Sequence, residues 1–440
     1  MTSKLYFRGP GEKRRPPAGM DAVIHLDEPG ATGYPLHHNL AQLFATPRPP
    51  GPEVISFLLA ALAAWAGDKL LPRHLAPDAW TREIALYLPA SESWIPLAPG
   101  LAKLLNFLTG DAWTLKLREA SVDLGPRGQW PHAWQPQEVV LFSGGLDSLA
   151  GAIDRLEAGR RVVLVSHYDF GQLASVQQGL AAGLAQYYGL GRLHHLGLRV
   201  QFPEAPELSL RSRSVLYLAL GLAVAAALGG ETPLIIPENG WISLNPPLTL
   251  CRLGAYSTRT THPYFLQELT ALWRDAGLAH PLVNPYQGLT KGELLQHCRN
   301  GELLKDLCRR TVSCARPVVS RWQGRPMGSC GYCYPCLVRR ASLHRLGWDE
   351  GGDYGLDVLA SEETLRHRIR GRDLRALLLA LKTWEETPEE LEARLWLGET
   401  PAEIRARQPQ ARAVLGAGFE EMARFFRDKG PEWVQAYGGW

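Results

Sequence analysis

An apolar run, Val139-Val140-Leu141-Phe142, leads directly into Ser143-Gly144-Gly145-Leu146-Asp147-Ser148 and then into the helix-like stretch Leu149 to Leu156. A strand that passes through two glycines into a helix start gathers backbone N–H groups and the positive helix end, about half an elementary charge, around one small concavity. That concavity suits a pyrophosphate. A Cβ at either glycine would hold phosphates away and disfavour the positive φ such a nest needs. Ser143 and Ser148 add hydroxyl donors. Asp147 is the odd member, because a carboxylate beside polyphosphate makes sense chiefly with a divalent cation between them, most simply Mg²⁺. No Gly-Lys-Ser/Thr follows and the three spaced glycines of a dinucleotide fingerprint are missing, so neither of those loops is present. A turn that merely starts a helix is the bland alternative.

From Glu138 the pattern alternates strand and helix. Strands are expected at Val139 to Phe142, Val162 to Val165, Leu193 to Val200 and Leu234 to Pro237, with helices over 148–158, 172–188 and 211–228. Alternation with strands apolar on both faces predicts an α/β fold, a parallel sheet covered by helices, with ligands beyond the carboxyl ends of the strands. Residues 1–52, rich in proline and glycine, read as a flexible arm, and 53–135 as a small α+β domain. The α/β domain spans 136–346. Residues 347–440 are charged and periodic, with Leu374, Leu377, Leu378 and Leu381 at helical spacing, and predict a helical C-terminal region. The run Arg366, Arg368, Arg370, Arg372 and Arg375 reads as a solvated helix face ahead of a nucleic-acid surface.

A net charge of +3 over 440 residues gives no independent case for nucleic-acid binding. The apolar stretches Val54 to Ala66 and Val215 to Leu228 are shorter than the ~18 to 20 residues that span a bilayer, and predict buried helices. Lys4, Arg8, Lys13, Arg14 and Arg15 are interleaved with glycine and proline, which leaves no apolar signal core and points to the cytoplasm.

Four of the seven cysteines cluster: Cys314, then Cys330, Cys333 and Cys336 at two-residue gaps. Such gaps turn adjacent thiolates inward on one knuckle, Gly331 permits the bend, and the distant Cys314 completes a tetrahedron, for which zinc is the natural occupant. An iron–sulfur cluster is the alternative. Four protein ligands leave no open position, so a zinc there is structural.

The loop resembles the pyrophosphate loop of the N-type ATP pyrophosphatases. A pyrophosphate loop followed by a four-cysteine knuckle is similar to the 7-cyano-7-deazaguanine synthases, the QueC family. Three intermediate segments agree: Leu210-Arg211-Ser212-Arg213-Ser214-Val215, Ile236-Pro237-Glu238-Asn239, and Asn284-Pro285 followed by Leu289-Thr290-Lys291-Gly292-Glu293. Thr311-Val312-Ser313-Cys314 matches the lead-in to the first zinc ligand. The likeness covers about Glu138 to Leu346 and implies a sheet of the adenine-nucleotide alpha-hydrolase (HUP, Rossmann-like) type, ATP with Mg²⁺, and a C–N ligase. It places Arg213 on the family's arginine, Glu238 on a strand-end glutamate and Lys291 on its lysine. Nucleotide contacts are then expected from Ser143, Gly144, Gly145, Asp147, Ser148 and, at the end of the second strand, His167. Catalysis falls to Asp147, Arg213 and Lys291, substrate binding to Arg213, Glu238 and Lys291, and zinc to Cys314, Cys330, Cys333 and Cys336. Asp147→Ala is expected to stop pyrophosphate release with the fold intact.

Trp241-Ile242-Ser243-Leu244-Asn245-Pro246 departs from the family's aspartate-phenylalanine-serine-glycine-tyrosine-proline, and both flanks are additional. The layout resembles long QueC-like proteins of antiphage operons, the Qat and type IV CBASS kinds. That likeness implies 7-carboxy-7-deazaguanine as the acid, an amine of a partner protein from the same operon as acceptor, and no membrane. Plain nitrile synthesis for queuosine, tRNA modification and a non-catalytic nucleotide-sensing scaffold are the alternatives.

Overall fold

The computed structural model describes residues 2–9, 11–26, 31–44, 48–120, 135–203, 205–250, 259–317, 327–396 and 408–439. Strands β1 (Ser3–Arg8), β2 (Ala22–His25), β3 (Tyr34–Pro35), β5 (Glu83–Ala90) and β6 (Ala112–Glu119) form a parallel sheet in the order β3-β2-β1-β5-β6. The expected flexible arm over 1–52 is therefore corrected, and so is the separate α+β unit after it: both belong to one α/β unit. Three apolar residues, Leu5, Tyr6 and Phe7, are buried in the central strand. Polar groups around them find partners. Arg118 donates to Glu12 at 2.5 Å and lies over the Tyr6 ring, while the Lys4 N–H donates to Asp21 at 2.7 Å. Charge at the strand's ends hid a strand that is buried in its middle.

The second sheet has the order β11-β10-β7-β8-β9-β4. Its parallel strands are β7 (Glu138–Leu141), β8 (Val162–Tyr168), β9 (Leu193–Gln201), β10 (Leu234–Ile235) and β11 (Leu282–Val283); β4 (His37–His38) pairs antiparallel on the β9 edge. This is the α/β fold read from the sequence. Helices α1 (Pro52–Leu70) and α5 (Arg213–Leu228) pack on each other between the two sheets. Both are apolar nearly all round, which suits a helix with no solvent face, and one hydrophobic core runs through both units. On the other face of the second sheet lie α3 (Leu146–Glu157), α4 (Gly171–Tyr188) and a separate core.

Beyond residue 346 the chain is helical, as expected, over Glu362–Arg366, Arg372–Glu386, Pro388–Trp396, Gln408–Lys429 and Glu432–Gly438. Leu374, Leu377, Leu378 and Leu381 are fully buried in its core, which also takes in Trp241 and the cysteine knuckle. Among the described residues no helix is long and apolar enough to cross a membrane.

Candidate active site

The turn after β7 has the form expected of an anion nest. Gly144 has φ +86°, and a Cβ at Gly145 would come within 3.4 Å of the hydroxyls of both Ser143 and Ser313. The Gly145 N–H donates to Ser143 Oγ at 3.3 Å and the Leu146 N–H to Ser313 Oγ at 3.2 Å. These are long bonds to neutral acceptors, which phosphate oxygens, as charged acceptors, can replace with gain. Ser143 is exposed, whereas the buried Ser148 hydroxyl donates to the Gly145 carbonyl at 2.9 Å. Ser313 comes from the segment leading into the first cysteine. The Val312 N–H donates to the Gly144 carbonyl at 2.9 Å, so that segment lies against the turn.

Asp147 lies in the first turn of α3 with its carboxylate turned into the protein, 5% exposed. Lys291 Nζ donates to its Oδ1, and Asn239 donates to Oδ2 through its side chain at 2.6 Å and its backbone at 3.3 Å. Burial alone would raise the Asp147 pKa, but the Lys291 ammonium and hydrogen bonds from Glu238, Lys291 and Asn239 hold it below the usual carboxylate value. Glu238 moves the other way. Burial, the Asp147 charge and the hydrogen bond to Asp147 push its pKa well up, so Asp147 is the ionised member and Glu238 the protonated one. Three residues expected at the site, Asp147, Glu238 and Lys291, are thus brought together; Asn239 was missed as a participant. It follows Glu238 in the turn between β10 and α6 (Gly240–Leu244), and its Oδ1 also caps that helix by accepting from the Ile242 N–H at 3.0 Å.

The same geometry bears on magnesium. Both Asp147 oxygens are engaged and its charge is matched by Lys291, so the arrangement makes Lys291, in place of a metal, the partner of Asp147. It also corrects the expectation for Asp147→Ala, because removing Asp147 strands a buried ammonium and costs about 3–5 kcal/mol.

Lys291 opens α8 (Lys291–Gln296), and Thr290 caps that helix in a reciprocal capping box with Glu293. Beneath the cap lies Glu421 from the C-terminal helix Gln408–Lys429. It accepts from Thr290 Oγ1 at 2.8 Å, the Gly292 N–H at 3.2 Å and Ser342 Oγ at 2.7 Å. The C-terminal flank therefore braces the backbone that carries Lys291.

Arg213 opens α5, and Asp68 on α1 performs the corresponding task there. Asp68 Oδ2 accepts from the hydroxyls of Ser209 and Ser212, both at 2.8 Å, while Oδ1 accepts from Arg73 and Arg82 at 3.2 and 2.5 Å. His167 is corrected. It is 1% exposed and meets Trp65 and Tyr217 edge-on or tilted between α1 and α5, with Nε2 on the Val200 carbonyl at 3.2 Å. A ring sealed in that core has no face open to a nucleotide. On alternating β8 it shares the side of Val163 and Val165, which form part of the core around α1 and α5.

Cys314, Cys330, Cys333 and Cys336 converge, their sulfurs all within 4.8 Å of one another. The Cys314–Cys333, Cys330–Cys336 and Cys333–Cys336 separations are 3.8, 3.9 and 3.4 Å. Zinc bound at about 2.3 Å by four thiolates needs edges near ~3.8 Å, so the set fits a zinc knuckle. Gly331 has φ +88°, and a Cβ there would overlap the Leu356 carbonyl oxygen. The helix Tyr334–Arg345 that follows carries Arg339, which donates to Thr311 Oγ1 at 2.6 Å and the Cys308 carbonyl at 2.8 Å, fixing the segment that reaches the phosphate turn. Cys298 and Cys308 are buried apart from this cluster, and Cys251 lies outside the described residues.

These parts define a class: an α/β protein with a phosphate-type turn at the carboxyl end of a parallel sheet, a buried Lys–Asp pair beside it and a four-cysteine knuckle behind it. No family model matches the chain. Individual proteins do. It is 27% identical over 240 residues to the 7-cyano-7-deazaguanine synthase of Synechococcus sp. (strain RCC307), which covers 48% of this chain and 95% of that protein. The proteins of the same name from Novosphingobium aromaticivorans (28% over 240 residues, 50% and 95%) and Thiobacillus denitrificans (27% over 238 residues, 48% and 96%) match similarly. Over about half its length the chain is QueC-like. Because the match nearly exhausts the relatives, the other half of this chain has no counterpart in them.

Proposed function

We propose that the protein uses ATP to activate the carboxylate of a 7-deazaguanine acid, 7-carboxy-7-deazaguanine, for C–N bond formation. A carboxylate oxygen attacks the α-phosphorus, the bond to the bridging oxygen breaks, and pyrophosphate leaves onto the nest of Gly144, Gly145 and the α3 N-terminus, with Ser143 and Ser148 beside it. An amine then attacks the acyl carbon, AMP departs with the electron pair, and a proton is lost. Fixed cations at the developing charge are what such a transfer requires, and Lys291 and Arg213 take that role. Lys291 is held in place by Asp147, while the protonated Glu238 can donate a hydrogen bond to a base edge. The observation carrying this reading is the buried Lys291–Asp147 pair next to the glycine turn, in a chain similar to 7-cyano-7-deazaguanine synthases.

For the acceptor, the two added flanks favour an amine on a partner protein, as in the antiphage long forms that the layout resembles. The relatives' name favours a second reading, in which ammonia is the amine and a further activation dehydrates the amide to the nitrile. Incubation with ATP and 7-carboxy-7-deazaguanine should release pyrophosphate. Mass spectrometry then decides the acceptor, a protein adduct for the first reading and a free nitrile base for the second. Absence of both acid-dependent pyrophosphate release and ATP–pyrophosphate exchange refutes the proposal.

A further inference from the structure

Resting on that reading, we infer that Ser313, from the segment that leads into the cysteine knuckle, is a ligand of the departing pyrophosphate. Its hydroxyl donates a hydrogen bond to a phosphate oxygen held in the turn after β7. Ser143, Ser148 and Ser313 bring hydroxyls to that turn, and the first two donate within the protein. Ser143 Oγ donates to Ser148 Oγ at 3.2 Å, and Ser148 Oγ donates to the Gly145 carbonyl at 2.9 Å. Ser313 Oγ accepts from the Leu146 N–H at 3.2 Å, while its own proton has no acceptor among the described residues. It is the uncommitted hydroxyl proton of the turn.

The place of that hydroxyl is set by its neighbours. The Val312 N–H donates to the Gly144 carbonyl at 2.9 Å, and the Ser313 carbonyl lies 3.9 Å from Cys336 Sγ in the knuckle. A Cβ at Gly145 would come within 3.3 Å of Ser313 Oγ, so the hydroxyl faces the side of the turn that glycine leaves open. Since Ser313 Oγ is 3.2 Å from the Leu146 nitrogen, a phosphate oxygen that takes over this N–H arrives in contact with it. The exchange is favourable, because one long bond to a neutral oxygen gives way to two bonds to a charged one, from the amide and from the hydroxyl. A donor already in position also costs no reorganisation as charge builds on the leaving group. The amides of Gly145 and Leu146 hold the pyrophosphate from the β7–α3 side. Ser313 holds it from the knuckle side, 167 residues further along the chain than Leu146.

The test is equilibrium binding of inorganic pyrophosphate to wild type, Ser313→Ala and Ser313→Thr, with zinc content, urea unfolding and the rate of acid-dependent pyrophosphate release measured for each. Ser313→Ala should keep its zinc and its urea midpoint, yet bind pyrophosphate about tenfold or more weakly and release it from ATP more slowly. Ser313→Thr, which keeps the hydroxyl, should recover most of both. If Ser313 only fills an empty turn, removing it frees the Leu146 N–H, and Ser313→Ala binds pyrophosphate as tightly as wild type or more so. That result overturns the assignment. So do equal losses in the two variants, and a Ser313→Ala whose weaker binding is matched by loss of zinc or of stability. A wild-type protein that neither binds pyrophosphate nor releases it from ATP in the presence of the acid overturns the proposed function as well.

Discussion

Asp147 matters for what it does to its neighbours. Its charge pairs with Lys291 and, together with burial, pushes the Glu238 pKa well up, so one carboxylate acts on two neighbours in different ways. Asp147→Asn should lower acid-dependent pyrophosphate release by at least ~100-fold, because the cation at the transferring phosphoryl group is no longer held in place. Its stability loss should be smaller than that of Asp147→Ala. With the Asp147 charge gone, Glu238 is free to ionise and match Lys291, provided an amide still fills the space. Urea midpoints for the two variants check this, and equal losses would show that Glu238 does not compensate. The sequence pointed to Asp147, Glu238 and Lys291 individually, through motif and likeness. That Asp147 faces inward to Lys291, and not outward to a metal, depends on α8 arriving from 144 residues away, as the Lys291–Asp147 bond shows.

Between single residues and the molecule, the cysteine knuckle and the phosphate turn work as one assembly, joined by Thr311-Val312-Ser313. The knuckle fixes Cys314, Arg339 fixes Thr311, and Val312 and Ser313 then touch Gly144 and Leu146. Cys333→Ser should lose the metal, measured by zinc content, and free this segment to exchange its backbone amides faster at Val312. A closed four-thiolate site contributes on the order of 10 kcal/mol to local folding, so soluble yield should fall too. A stable variant that retains zinc would contradict the assignment. The knuckle was legible from cysteine spacing alone, whereas its contact with the phosphate turn was not, since nothing in the string of residues 311–314 names the loop it will meet.

At the scale of the molecule, the two flanks are built into the site from opposite sides, Asp68 beneath the start of α5 and Glu421 beneath the start of α8. The fold also buries neutral histidines. Burial pushes the pKa of His167 and of His262 down to about 3, in each case aided by a nearby arginine, Arg213 or Arg259. The unfolded chain takes up a proton at each near pH ~6.5, while the folded chain does not until about pH 3. The unfolded state therefore binds more protons in that window, and stability falls as pH drops through it, by up to about 1.4 kcal/mol per pH unit for each histidine. Urea midpoints should decline steadily from pH 7 to pH 4.5, and a flat profile would contradict the neutral burial of both rings.

What the residues alone determined was local: the glycine turn between an apolar run and a helix, the alternation that makes a parallel sheet, the thiolate spacing, the periodic leucines of the C-terminal region. Each is a pattern whose physical cause lies within a few residues of itself. Tertiary structure alone decided that the proline- and glycine-rich beginning is half a sheet, because Leu5-Tyr6-Phe7 becomes a strand only once β2 and β5 lie on either side of it. It also decided that His167 faces the core and that Asp68 and Glu421 brace the helix starts that carry Arg213 and Lys291. Pairing and burial between distant segments leave no periodic trace in a sequence, since the free energy that fixes them comes from surfaces that meet only when the chain has folded.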